Sequence, residues 1–355
     1  MRHSADKEIH SGRFRRRYNF FTGSVRLAVS DIFRNRAAKQ PCILQHHSKI
    51  ASQIGTGHIL CVGSVQSDFS CLLYTSKVSS FDRLFDVNAV KIPYGGGYYK
   101  EVDEAVRRAI SYNPRIKMVF RSLDKSFLMY DKDQWNPTAP APDYLLDGNP
   151  WNDVNYIWNK EVIFGNVHSI LNRTKAGADM TTFDEYMHWA PDKEWGRQAV
   201  LRTFERPEGN MEPMPFTMED RQMVEGNVEQ NILAVARANP DIIFYCFIPP
   251  YSIAYWDSEL VAKGDFERQL SALRLMADML LTCDNIRLFG FDDQFDIICD
   301  LDNYMDVIHY SEQVGDRILE WMAAGEHRLT RDNVDQYFET IRDFYGSYDY
   351  GRIYD

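Results

Sequence analysis

From Gly57 onward, short apolar runs alternate with stretches whose apolar residues recur at helical spacing. Ile59-Leu60-Cys61-Val62, bounded by Gly57 and Gly63, reads as a buried strand. Val87 to Ile92 reads as a second, stopped by Pro93 and the Gly95-Gly96-Gly97 turn. Over Tyr99 to Tyr112, Val102, Ala105, Val106, Ala109 and Ile110 fall on one helical face, and Asn113-Pro114 ends the helix. Ile116 to Phe120 is a third strand. A long helix over Met218 to Ala238 stops before Asn239-Pro240 and leads into a fourth strand, Ile242 to Ile248. The helix Asp265 to Leu281 precedes a fifth strand, Ile286 to Phe291, and helices over Ser311 to Ala324 and Arg331 to Tyr345 close the chain.

Strands separated by helices of this length pair in parallel through right-handed crossovers. The expected fold is therefore α/β: a three-layer α/β/α sandwich around a mostly parallel five-stranded sheet, with function sought at the carboxyl ends of the strands. The rhythm divides the chain into a basic, poorly defined segment 1–56, an α/β domain 57–325 and a helical extension 326–355. An insertion over 130–216 interrupts the domain and carries Trp135, Trp151, Trp158, Trp189 and Trp195, five of the seven tryptophans. Such a stretch suits a lid or a sugar-stacking surface, and equally a folded cap whose aromatics form its own small core.

Composition adds exclusions. The 355 residues carry 40 Lys and Arg against 51 Asp and Glu, a formal charge of −11, which lacks the electrostatic footprint of a nucleic-acid binder. The apolar stretch Ile242 to Trp256 is broken by Pro249-Pro250, and no segment reads as a signal peptide or membrane-spanning helix. The first 50 residues hold eleven Lys and Arg against three Asp and Glu. That balance fits a solvated tail better than an arm for phosphate or anionic lipid. The six cysteines form no C-x-x-C pair and read as buried free thiols.

Four strand ends carry candidate chemistry. Ser64 directly follows the first strand in Val62-Gly63-Ser64, where a hydroxyl and backbone N–H groups can meet at the sheet edge, although a plain turn has the same signature. Tyr94-Gly95-Gly96-Gly97-Tyr98 permits close backbone approach but does not match a dinucleotide-binding glycine pattern. Arg121-Ser122-Leu123-Asp124 follows the third strand. Asp306-Val307-Ile308-His309 has a D-x-x-H spacing, with which one loop can fix the histidine's tautomer and ring direction. The acidic run Asp292, Asp293, Asp296, Asp300, Asp302 and Asp306 lacks the calcium-loop pattern, and no metal is expected there.

A serine after the first strand and a D-x-x-H before a late helix resemble the SGNH/GDSL hydrolase superfamily. The stretch from Phe81 to Met322 is similar to a group of SGNH-like bacterial proteins associated with the cell surface. The resemblance rests on Phe81-Asp82-Arg83-Leu84-Phe85, Ile92-Pro93-Tyr94-Gly95-Gly96-Gly97, Phe247-Ile248-Pro249-Pro250-Tyr251-Ser252 and Asp306-x-x-His309-Tyr310. It implies Ser64 as nucleophile, His309 as general base, Asp306 as its orienting partner, and the amides of Ser64 and Gly96 as oxyanion donors. It further implies a serine esterase acting on O-acyl groups of surface carbohydrate, extracytoplasmic, without metal or organic cofactor. Asp124 would then bind a substrate hydroxyl or serve structure, and Tyr251 and the tryptophan-rich insertion would bind sugar rings. The chain departs from the pattern twice. Ser122-Leu123-Asp124 stands where the superfamily has the Asn donor of G-x-N-D, and Gly63 to Phe69 fits the nucleophile block only with a deletion. No anchoring helix precedes the first strand, so residues 1 to about 76 are expected to be divergent or rearranged. Two alternatives remain: a catalytically inactive protein of this fold that binds or helps assemble surface glycans, and a metal-dependent phosphoesterase on the acidic 292–306 loop.

Overall fold

The computed structural model describes residues 58–63, 77–93, 97–137, 193–209 and 211–354, together with positions 149, 151, 171–172, 175 and 184. All of them lie in one compact unit, 47–355. Strand β1 (His58–Gly63) is followed by helix α1 (Val78–Phe85), β2 (Asn88–Pro93), α2 (Tyr99–Tyr112) and β3 (Ile116–Ser122). Helix α3 (Met218–Val228) runs on through a π-helical turn, Glu229–Leu233, and a last turn, Ala234–Ala238. Then come β4 (Ile243–Ile248), α4 (Phe266–Leu280), β5 (Ile286–Gly290), α5 (Glu312–Ala324), β6 (Arg328–Leu329) and α6 (Val334–Ser347).

The sheet order is β2-β1-β3-β4-β5-β6. The first five strands pair in parallel and β6 pairs antiparallel with β5. The fold is α/β with a mixed, mostly parallel sheet, but the expected count of five omits β6. A strand of two residues shows no periodicity, and it exists because the chain turns back after α5 and Gly290 N–H donates to the His327 carbonyl at 3.2 Å. Strand β3 also runs beyond its apolar part, because Arg121 and Ser122 continue the ladder opposite Cys246 and Phe247. Helix α1 carries no expectation from the periodicity; Asp184 caps it, its Oδ1 accepting from Val78 N–H at 2.6 Å.

Each element forms for a local reason. The buried face of α2 includes Val102, Ala105, Val106 and Ala109, and Glu101 accepts a hydrogen bond from Tyr98 N–H at its start. Helix α3 opens with a reciprocal capping box, Asp220 N–H to Thr217 Oγ1 at 3.1 Å and Thr217 N–H to Asp220 Oδ2 at 2.8 Å. Arg268 of α4 reaches the same Asp220 at 2.6 Å and ties the two helices together. Helices α1 and α5 touch each other, while α2, α3 and its continuation, and α4 form a second contiguous group. Between them β4 is buried almost throughout, and Tyr245 stacks on Phe120 of β3 at 4.6 Å and Phe289 of β5 at 6.0 Å. The chain order reverses between β1 and β3, since β2 lies on one side of β1 and every later strand on the other. In open α/β sheets such a reversal opens a crevice at the strands' carboxyl ends.

Candidate active site

The D-x-x-H segment closes a narrow loop. Tyr304 and Tyr310 form an antiparallel bridge, Ser311 N–H donates to Asn303 O at 2.7 Å, and Met305 N–H donates to His309 O at 3.0 Å. Inside it, Asp306 Oδ1 accepts from the N–H groups of Ile308 and His309, both at 2.9 Å. Its other oxygen, Oδ2, holds His309 Nδ1. An aspartate three residues before the histidine makes all these contacts locally, because the short side chain folds back over its own turn. With Nδ1 as the donor to a carboxylate, the imidazole lone pair is on Nε2. The ring is wholly buried, so its orientation is fixed by packing as well as by Asp306.

Two neighbours fix this loop in place. Ser252, in the loop after β4, donates through both N–H (3.1 Å) and Oγ (2.6 Å) to the carbonyl of Val307, and Tyr304 OH donates to Pro250 O at 2.8 Å. On the other side Gly196 N–H donates to Tyr304 O at 2.8 Å and Arg197 N–H to Asp302 Oδ1 at 3.0 Å. Gly196 has φ +100, and a Cβ there would come within 3.1 Å of Asp302 Oδ1, so only glycine lets this segment lie so close. Trp195, immediately before it, is 37% exposed.

Beneath the loops, at the carboxyl ends of β3 and β5, lies a buried charged cluster. The Asp124 carboxylate accepts from Ser126 N–H at 2.8 Å and from the Tyr251 side chain, and burial pushes its carboxyl up to about 6. Lys125 pairs with Asp292, and both side chains are fully buried. The ammonium also faces the rings of Tyr251 at 4.8 Å and Trp256 at 4.9 Å. Burial lowers the Lys125 pKa and raises the Asp292 carboxyl to about 6, partly offset by their mutual attraction. Asp292 is held through its backbone as well, donating N–H to Tyr337 OH at 3.1 Å and accepting from Tyr345 OH at 2.7 Å. Tyr345 in turn stacks on Trp256 at 3.7 Å.

Two pairs of anticipated residues come together, Asp306 with His309 and Asp124 with Tyr251. Asp124 and Tyr251 are both buried, and their polar groups meet each other and the backbone near Ser126 rather than solvent. Ser64 and Gly96 lie outside the described residues. Members of the acidic run go to separate partners: Asp292 to Lys125, Asp302 to Arg197 N–H, Asp300 to Asp302 N–H and Asp306 to His309. Among the described residues no three His, Cys, Asp or Glu side chains are placed to hold a metal ion, and no helix is long and apolar enough to cross a membrane. Sequence reasoning passed over Lys125 and Ser252. A lysine directly after a strand-end aspartate was the available signal for the first. Ser252 stands in a segment that carries the resemblance, but nothing local assigns it this role, because its partner is 55 residues away.

No protein-family profile matches the chain, and no curated protein matches it. One solved structure, "putative platelet activating factor from Streptococcus pneumonia", aligns over 86% of this chain and 97% of its own, at 11% identity and a TM-score of 0.34. A superposition that loose carries no argument about this chain.

Proposed function

We propose that the protein is a serine ester hydrolase of SGNH type, built as a three-layer α/β/α domain, and that Asp306 and His309 are its orienting acid and general base. The observation that carries this reading is the Asp306 carboxylate, which binds His309 Nδ1 and two backbone N–H groups of the same loop at once. In the proposed reaction His309 Nε2 takes the proton of Ser64 as its Oγ attacks an ester carbonyl. The amides of Ser64 and Gly96 stabilise the oxyanion, and the imidazolium, steadied by Asp306, returns the proton to the leaving alcohol. Water then hydrolyses the acyl-enzyme by the same proton path. O-acyl groups of surface carbohydrate are the proposed substrates, in an extracytoplasmic setting; the partly exposed indole of Trp195, joined to the catalytic loop through Gly196, supports a ring-bearing substrate.

One observation favours the catalytically inactive, glycan-binding alternative: Asp124 stands where an amide donor would serve, and its carboxylate is taken up by Ser126 and Tyr251. Loss of one oxyanion donor costs about 10²–10³ in rate. Fluorophosphonate labelling of the purified chain, with the modified residue located by mass spectrometry, decides between the readings. The hydrolase predicts a label on Ser64 that is lost in His309→Ala; a folded protein that takes no label anywhere refutes it and leaves the binding protein.

A further inference from the structure

We propose that Met211, Met214 and Met218 form a thioether site for a soft monovalent cation, Cu(I) or its redox-inert analogue Ag(I). Methionine is ordinarily a core residue, and the other described methionines are buried or half-buried. The exceptions are these three, 56%, 37% and 68% exposed, within a single run of eight residues, Met211 to Met218.

The backbone that carries them is pinned. Met211 N–H donates to Ala262 O at 3.1 Å and Met214 N–H to Gly264 O at 2.7 Å. Gly264 has φ +70, and a Cβ there would sit 2.3 Å from Glu212 O, so the segment lies directly against that turn. Phe216 packs against the core, and Thr217 begins α3 through its capping box. Pro213 and Pro215 press Glu212 and Met214 toward extended backbone, favouring polyproline II. In that conformation, whose period is three residues, Met211 and Met214 would share one edge, about 9 Å apart along the axis at about 3.1 Å per residue. Two unbranched thioether side chains can close that span, and Met218 follows one helical cap later.

The ligand class follows from the donors. Thioether sulfur is a soft ligand that selects Cu(I) over Mg²⁺ or Ca²⁺. Glu212 lies between the first two methionines and Glu219 follows the third, and these exposed carboxylates bring negative charge that attracts a cation. The site is separate from the Asp306–His309 loop and stands or falls independently of the proposed hydrolase.

The test uses the full chain labelled with methyl-¹³C methionine, its accessible thiols first alkylated with iodoacetamide under native conditions. Methyl signals of the three residues are assigned through Met211→Leu, Met214→Leu and Met218→Leu, changes that preserve volume and apolarity. On addition of Ag(I) the three signals should move together and saturate at one equivalent, with anaerobic Cu(I) giving the same response and Zn(II) none. Each single variant should bind at least tenfold more weakly, and the triple variant should not respond. The proposal is overturned if the three signals stay still, saturate separately, respond equally to Zn(II), or if Ag(I) binding survives in the triple variant.

Discussion

The Lys125–Asp292 pair makes the sharpest stability test of this structure. Both side chains are at zero exposure, and the ammonium has two aromatic faces besides its carboxylate. Removing one partner strands the other charge, at a cost of about 3–5 kcal/mol, whereas replacing both with apolar residues of similar volume is close to neutral. Asp292→Asn keeps shape but leaves the ammonium stranded, and Lys125→Met does the reverse. The two variants should respond to pH with opposite signs. In Asp292→Asn, burial already lowers the Lys125 pKa and loss of the carboxylate lowers it further. The folded state then binds fewer protons than the unfolded state, so stability rises with pH, at most by about 1.4 kcal/mol per pH unit. In Lys125→Met, the Asp292 carboxyl, already pushed up to about 6, rises further without its cation. The folded state now holds a proton that the unfolded state has released, and stability falls as pH rises above about 4. Guanidinium unfolding followed by tryptophan fluorescence from pH 5 to 9 measures both slopes, and Trp256 beside the pair supplies a local probe. The Lys125→Met/Asp292→Leu double variant should lie within about 1.5 kcal/mol of wild type and be nearly flat in pH. Single variants that each cost under about 1 kcal/mol, or that share one sign of pH slope, would refute the description of a dry, mutually dependent ion pair.

Three further outcomes follow from the same contacts. The Asp124 carboxyl, raised by burial to about 6, makes folding less favourable as pH climbs through that value. Asp124→Asn should therefore gain about 3 kcal/mol on wild type between pH 4 and 7.5 in the same unfolding assay. At Gly290 a Cβ would lie 2.6 Å from Tyr337 Cζ and 2.7 Å from its hydroxyl. Gly290→Ala should then cost about 2–4 kcal/mol by overpacking and by disturbing the Asp292–Tyr337 hydrogen bond, and Tyr337→Leu should recover part of it in a double-mutant cycle. Asp306→Ala leaves two backbone N–H groups and the imidazole without their carboxylate. It should cost about 2–4 kcal/mol, whereas Asp306→Asn should retain the turn, lose less stability and still abolish serine labelling through the wrong histidine tautomer.

Wherever period and punctuation coincide, local sequence was sufficient. Helix α2 begins and ends at the residues that its apolar stripe and Asn113-Pro114 mark, and β4 follows Asn239-Pro240 as a continuous apolar run. The Asp306–His309 pairing belongs to the same class, because a carboxylate three residues upstream can reach the imidazole and the turn's own N–H groups without help from the rest of the chain. Those features can be read without knowing their distant partners.

Tertiary structure decided everything that depends on residues far apart. The resemblance assigns Tyr251 to sugar rings and Asp124 to a substrate hydroxyl or a structural role, but strand pairing puts the two side by side in the interior, where burial raises the Asp124 carboxyl. Lys125 and Asp292 are 167 positions apart and gain meaning only when β3 and β5 are set on either side of β4. Ser252, through its N–H and hydroxyl, and Gly196, through its N–H, fix the histidine loop by donating to the carbonyls of Val307 and Tyr304, whose residue types do not announce the contact. The two-residue β6 exists only because a neighbouring strand offers its edge. Hydrophobic periodicity thus determined most of the elements, and the D-x-x-H spacing the loop that closes on itself, while packing chose which polar groups would share the dry space between them.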